Sequence, residues 1–387
     1  MNKVFKVIWN HATQTWTAVS ELGHAKGKTK SKKIVKLTAL AGAVIGSLAV
    51  SQSAMAASDM NTNDAVNIWP TNVPSAQAGR HAVSIGPAAS AQHQDAIAIG
   101  HSANAAWTNT IAIGKDTNAT KDHAVAIGSN TTASGYQSVT VGSYSNATAD
   151  SVVAIGQESK AGGAGTGTAA VAVGYLANAS AANTVAAGKS ATATVDNAIA
   201  VGVSTAATAR NAAALGGYAT ATAERATAVG AASKATGEAS FAGGTSANAS
   251  GKNSVAIGGS MTPADAAQAS GENSIAVGAN SNASGDNSIA QGKGASAAVT
   301  NSIAIGTNAS ATGISIGNEA STDVDYSIAI GHKSNVVGDQ GVAIGNEANN
   351  GGASFAAAVG ASSSANANYS AALGYSAVAD AEYSVSL

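Results

Sequence analysis

The chain contains no cysteine, which excludes a disulfide framework. Aromatics are 4% of the 387 residues and charged side chains 10%. Both values are low for a globular protein, and Ala, Gly, Ser, Thr and Asn take the space instead. An electrostatic footprint for nucleic acid is excluded too. Residues 57–387 hold 11 basic and 20 acidic side chains, a mildly acidic body. Such a composition would suggest disorder, but Val and Ile residues recur in strict register and argue against it.

That register is a 14-residue repeat closing on Ser-Val/Ile-Ala-Ile/Val-Gly. Its glycines run from Gly86 through Gly100, Gly114, Gly128 and so on to Gly258, Gly306, Gly331 and Gly374. Of the 20 intervals between these 21 glycines, 16 are 14 residues long, and the others are 18, 20, 11 and 15. A fixed short period predicts a solenoid, in which each unit buries itself against its neighbours. A solenoid grows by adding coils and argues against a single-pocket enzyme.

Positions are numbered here from the repeat glycine. Positions −3 and −1 are mostly Val or Ile, as in Ile97 and Ile99 or Ile303 and Ile305. Position −2 is Ala in 18 of 21 repeats, the exceptions being Ser84, Thr140 and Ser315. Successive side chains of a strand point to opposite faces, so one face is β-branched and the other methyl-sized. A strand apolar on both faces is buried on both. One thin coil covers only one face, so a second copy of the chain is expected on the other, with the Ala column allowing close approach. Gly243 and Gln291 interrupt the Val/Ile positions, and looser packing is expected there. Positions +3 to +5, as in Ala103-Asn104-Ala105, predict a second strand with tiny residues inward and Asn outward. The repeat glycines supply turn conformations that are costly with a Cβ. The fold class is therefore all-β, a parallel solenoid of about 22 coils with strands ~4.8 Å apart.

The longer intervals predict loops near Ala161–Thr168 and Ser260–Gln268. Residues 57–80 form a lead-in in which Trp69-Pro70 is expected to cover the open end of the first coil. Ahead of it, Lys26 to Lys36 form a basic run, Leu37–Val50 an apolar stretch, and Ala54-Met55-Ala56 a small-x-small site. This is a secretory signal peptide over 1–56, cut between Ala56 and Ala57. No HExxH or other paired spacing marks a metal site, and no GK[ST] ending marks a phosphate loop. No cofactor, catalytic residue or enzyme activity is expected.

Met1-Asn2-Lys3, Val7-Ile8-Trp9-Asn10 and Val19-Ser20-Glu21-Leu22 resemble the extended signal region of large Gram-negative autotransporters. Asn253–Gly258, Asn273–Gly278 and Asn301–Gly306 resemble the head repeats of YadA-type trimeric autotransporter adhesins, a likeness that covers residues 81–387. The resemblance implies a left-handed parallel β-roll, a homotrimer, Sec-dependent export, and adhesion at the outer membrane surface. The implied partners are a host matrix protein such as collagen, or other heads in autoagglutination and biofilm. A passive spacer lifting another domain from the membrane is the alternative. His101-Ser102 and His332 with Ser334 resemble the head motif linked to collagen contact. The family's coiled-coil stalk and membrane barrel are not recognisable before Leu387, so the sequence is expected to be a piece of a longer chain. N-terminal sequencing of the exported protein is expected to begin at Ala57; a start at Lys3 or Lys26 would place the leader's end elsewhere.

Overall fold

The structure is a computed structural model that describes residues 5–10, 15–20, 66–68, 77–163 and 169–387. The basic run, the cleavage junction and Trp69-Pro70 lie outside the described residues. Contacts divide the chain after Ala57 into two units. In the first, Phe5–Asn10 pairs antiparallel with Thr15–Ser20, with Trp9 opposite Trp16.

The second unit is the solenoid. One coil runs from the strand Ile97–Ile99 through a turn to Asn104–Ala105, then through a second turn to Ile111–Ile113. Each strand pairs in parallel with its equivalents one coil before and one coil after. Ile97, Ala98 and Ile99 stand opposite Ile111, Ala112 and Ile113. Asn104 and Ala105 stand opposite Asn118 and Ala119. Two parallel sheets result, one of three-residue strands and one mostly of two-residue strands. Both begin inside the lead-in, where Val66–Ile68 pairs with Val83–Ile85 and Gln77–Ala78 with Ser90–Ala91.

The interior is built from small side chains at positions −4, −2, +3 and +5. Ala98, Ala103, Ala105 and Thr110 are all fully buried. This places the Ala column inside the coil and not against a second copy. The Val and Ile residues at −3 and −1 point outward and are half-buried. Ala, Ser and Thr fill nearly all of the space between the two sheets. Val152 and Val336 are the larger apolar side chains fully buried there, and a glycine faces Val336. The Val336 Cγ1 lies 2.8 Å from where a Cβ on Gly341 would sit. Gly243 and Gln291 accordingly interrupt the outer stripe and leave no void in the core. Phe241 covers Gly243, its Cε1 2.8 Å from an ideal Cβ there.

The backbone shows a finer period than the sequence pattern. A non-glycine residue in the left-handed region recurs every seven positions, as at Asp95, Ser102, Asn109, Asp116 and His123. Each coil is thus two half-coils, one turn at +2 and the other at −5. Asn, Asp and Ser are frequent at these positions because short polar side chains tolerate that conformation.

Irregular intervals change the turns and spare the strands. In the 20-residue interval, Pro263–Asp265 forms a short 3-10 turn and Met261 stands 95% exposed. For the 18-residue interval, residues 164–168 lie outside the described residues. The flanking strands Val153–Ile155 and Val171–Val173 stay in register. In the 15-residue interval, Asn350 is fully buried, its amide accepting from Val337 and donating to the Ala353 carbonyl at 2.9 Å each. The 11-residue interval keeps Ile303–Ile305 paired with Ile314–Ile316.

The repeat glycines Gly100, Gly114, Gly128, Gly258, Gly306 and Gly331 have φ between +132° and +149°. At Gly258 a Cβ would lie 2.6 Å from the carbonyl of Gly278 in the next coil. Gly258→Ala is therefore expected to destabilise its coils by about 1–3 kcal/mol. Gly217 meets only one atom, at 3.9 Å, and Gly217→Ala is expected to be near neutral. Hydrogen exchange of the amides of Val255–Ile257 and Ile275–Val277 distinguishes the two.

Candidate interaction surfaces

Each coil offers four outward regions, and stacking turns each into a column. The first is the apolar stripe of positions −3 and −1. Ile199, Val201, Leu215 and Ile275 are each 38–39% exposed. Scattered apolar residues on a surface need no explanation, but a continuous stripe marks an interface. The second is the polar face of the short strands. Asn104 donates to Asn118 there at 2.7 Å.

The third region is the turn at +1 and +2. His101 and His332 both sit at +1 and are exposed. The His101 Nδ1 lies 3.1 Å from the Ser102 hydroxyl and 3.9 Å from the Asp116 carboxylate. Ser102 is half-buried with φ +55°. Beside His332, Lys333 pairs with Glu319 at 3.9 Å. Ser334 differs from the others. It lies at +3, is fully buried and donates to the Gly331 carbonyl at 3.0 Å, because that position turns into the coil. The geometry does not bring His101 and His332 together. Sixteen coils separate them, roughly 80 Å at a strand spacing of about 4.8 Å.

The fourth region is the turn at −7 to −5, and its side chains bond from coil to coil. At −5, Asn253 donates to Asn273, Asn273 to Asn287 and Asn287 to Asn301, at 3.0–3.3 Å. At −6, a carboxylate caps the backbone of the coil before it. Asp150 accepts from the Tyr136 amide and Asp286 from the Glu272 amide, each at 2.8 Å. Further along the same −5 column, Phe355, Tyr369 and Tyr383 stack with ring centroids 5.1 Å apart. Their 14-residue spacing was readable in the sequence; their stacking needed the coil register. Arg225, Glu238 and Lys252 form exposed pairs on this edge, worth little in water. Among the described residues, no group of three or more His, Asp or Glu converges to hold a metal ion.

Comparison with known families matches these features at both ends of the chain. Residues 1–50 match the extended signal peptide of the type V secretion system. The YadA head domain repeat matches in sixteen segments between residues 78 and 387, many of them overlapping. Those segments cover most of the chain. The chain belongs to the YadA-like trimeric autotransporter adhesins. The leader and head together assign this adhesin to the bacterial cell surface and outer membrane. Its edges are then the faces a head presents to its surroundings.

The capping role at −6 is open to test. Asp286→Ala is expected to cost about 0.5–1.5 kcal/mol and to speed exchange of the Glu272 amide. Asp325→Ala, at the same position but with no protein partner, is expected to leave stability unchanged.

Proposed function

We propose that this adhesin works as a homotrimer with left-handed coils, packed through the −3 and −1 stripe. The observation that carries the assembly is the continuity of that stripe. It leaves Val and Ile half-exposed in coil after coil, far beyond what a soluble monomer displays. Most coils supply the same two outward apolar positions, with Thr227, Gly243 and Gln291 as breaks, so a second copy in register meets a matching surface over most of the length. Covering the exposed part of one such side chain contributes about 0.5–1 kcal/mol. Repetition makes the sum large even after the entropy of association.

The trimer's outward edges act in adhesion, to a host matrix protein such as collagen or to other heads in agglutination and biofilm. The periodic surface supports this reading. It repeats the same chemistry every coil, so a long or repetitive partner makes many weak contacts and gains by avidity. His101, Ser102 and His332 are the proposed contact residues, since their side chains or turns reach the surface. Ser334 supports its turn from within. A passive spacer would share the regularity but bind nothing itself.

One experiment separates these readings. The exported chain is measured by sedimentation, by retention on a panel of matrix proteins including collagen, and by bead agglutination. The wild type is expected to sediment as a trimer and to bind or agglutinate. Ile199→Asp combined with Ile275→Asp is expected to yield monomers with unchanged β-sheet circular dichroism. A wild type that neither binds any matrix protein nor agglutinates overturns the adhesive role and leaves the spacer.

A further inference from the structure

The 11-residue interval lacks positions −7, −6 and −5, since Thr312 at +6 is followed directly by Gly313 at −4. The strands on either side keep register, so the missing turn becomes a gap in the edge. That gap is a notch of about 310 Å³, lined by Thr300, Asn301, Thr312, Ile314, Asp325 and Tyr326 among others. Its volume is at the lower end of small-molecule sites, about 300–1,000 Å³.

The deletion also strips the walls of their partners. In full coils, Asn at −5 donates to the Asn of the next coil; Asn301, the last of its ladder, accepts from Asn287 but has no neighbour to receive its own amide. In full coils, Asp at −6 accepts from the amide one coil back, as Asp286 does from Glu272. The amide that would serve Asp325 is among the three residues missing. The backbone repeats the pattern. The Asn301 amide donates to the Asp286 carbonyl, and Asn287 to Glu272. Tyr326 has no such carbonyl behind it, and the Thr300 carbonyl has no amide ahead. The notch therefore holds two acceptors, the Thr300 carbonyl and the Asp325 carboxylate. It also holds two donors, the Asn301 side-chain amide and the Tyr326 backbone amide. The Tyr326 ring stands beside them, 85% exposed.

We infer that this notch is a saccharide-binding subsite. Acceptors and donors are mixed within one small space, and a sugar hydroxyl serves as either. Neighbouring hydroxyls on one ring answer Asp325 and Asn301 together. The C–H face of the same ring covers the exposed face of Tyr326, an apolar body with a polar tip. A simple anion would meet the Asp325 charge, and an apolar ligand would leave four polar groups without partners. A turn of another polypeptide also carries donors and acceptors, but it gives the exposed Tyr326 ring no defined role. The subsite is independent of matrix-protein binding and agglutination.

The test probes the exported chain with a printed array of mammalian and bacterial oligosaccharides, followed by calorimetry with the glycans retained. Specific retention is expected, with Tyr326→Ala and Asp325→Asn each weakening it about tenfold, close to 1.4 kcal/mol. Both residues are exposed, so neither change disturbs the core. Inserting Gly-Asp-Asn between Thr312 and Gly313 rebuilds a 14-residue coil. It is expected to abolish glycan binding with the thermal melt retained, while agglutination and collagen retention stay at the wild-type level. Three results overturn the inference: no glycan retained above background, retention unchanged in both point variants, or displacement of the glycan only by a Gly-Asp-Asn peptide.

Discussion

The space between the two sheets is filled almost throughout by Ala, Ser and Thr, with Val152, Val336 and Asn350 the larger exceptions. Ala98 and Ala105 meet inside one coil, Ala112 and Ala119 inside the next, all without exposure to water. Each buried methyl contributes only about 0.8 kcal/mol. The fold compensates by repeating the unit and by pairing nearly every strand on both sides. Val and Ile at −3 and −1 alternate with the inward Ala and form the outer stripe. A chain with a conventional core would hide these residues; this one leaves them half-exposed along one face.

Close stacking imposes a second set of demands. The repeat glycine sits where a Cβ would strike the carbonyl of the coil beyond, at Gly258 as elsewhere. The turns at +2 and −5 take left-handed conformations every seven residues, and Asn, Asp and Ser tolerate them best. Once in place, these side chains stand 14 residues apart in sequence and one strand spacing apart in space. Asn ladders, Asp caps and the Phe355–Tyr369–Tyr383 stack follow from that single coincidence. The edges are ordered because the strands are.

Length changes are confined to turns for a related reason. A residue added to or lost from a strand would break buried backbone bonds on two sides. A turn faces water, which accepts the loss. The loop at Pro263–Asp265 and the notch before Ile314 are opposite uses of that freedom. Asn350 holds the ordinary inward +5 position beside a turn lengthened at Gly351–Gly352, and its side chain bonds to the surrounding backbone groups.

Much of this was legible in the sequence. The period, the parallel strands, the tiny inward residues of the second strand and the turn glycines all follow from spacing and side-chain size. The choice of inner face in the first strand did not. Ala98 and Ile97 are both apolar, and alternation separates two faces without saying which is inside. Only the distance to the second sheet decided it, and it reversed the role expected for the Ala column. Ser334 lies at +3, an inward position that the spacing of the second strand already implied, so its expected contact role rested on the resemblance alone. The missing turn before Gly313 was countable, but its unpaired donors and acceptors were not, because their partners lie one coil away. The sequence by itself determined the repeat, the strand positions and the family, since these depend on local spacing. The tertiary structure alone decided which faces are buried, which edges are satisfied and where a gap opens, since these depend on contacts between coils.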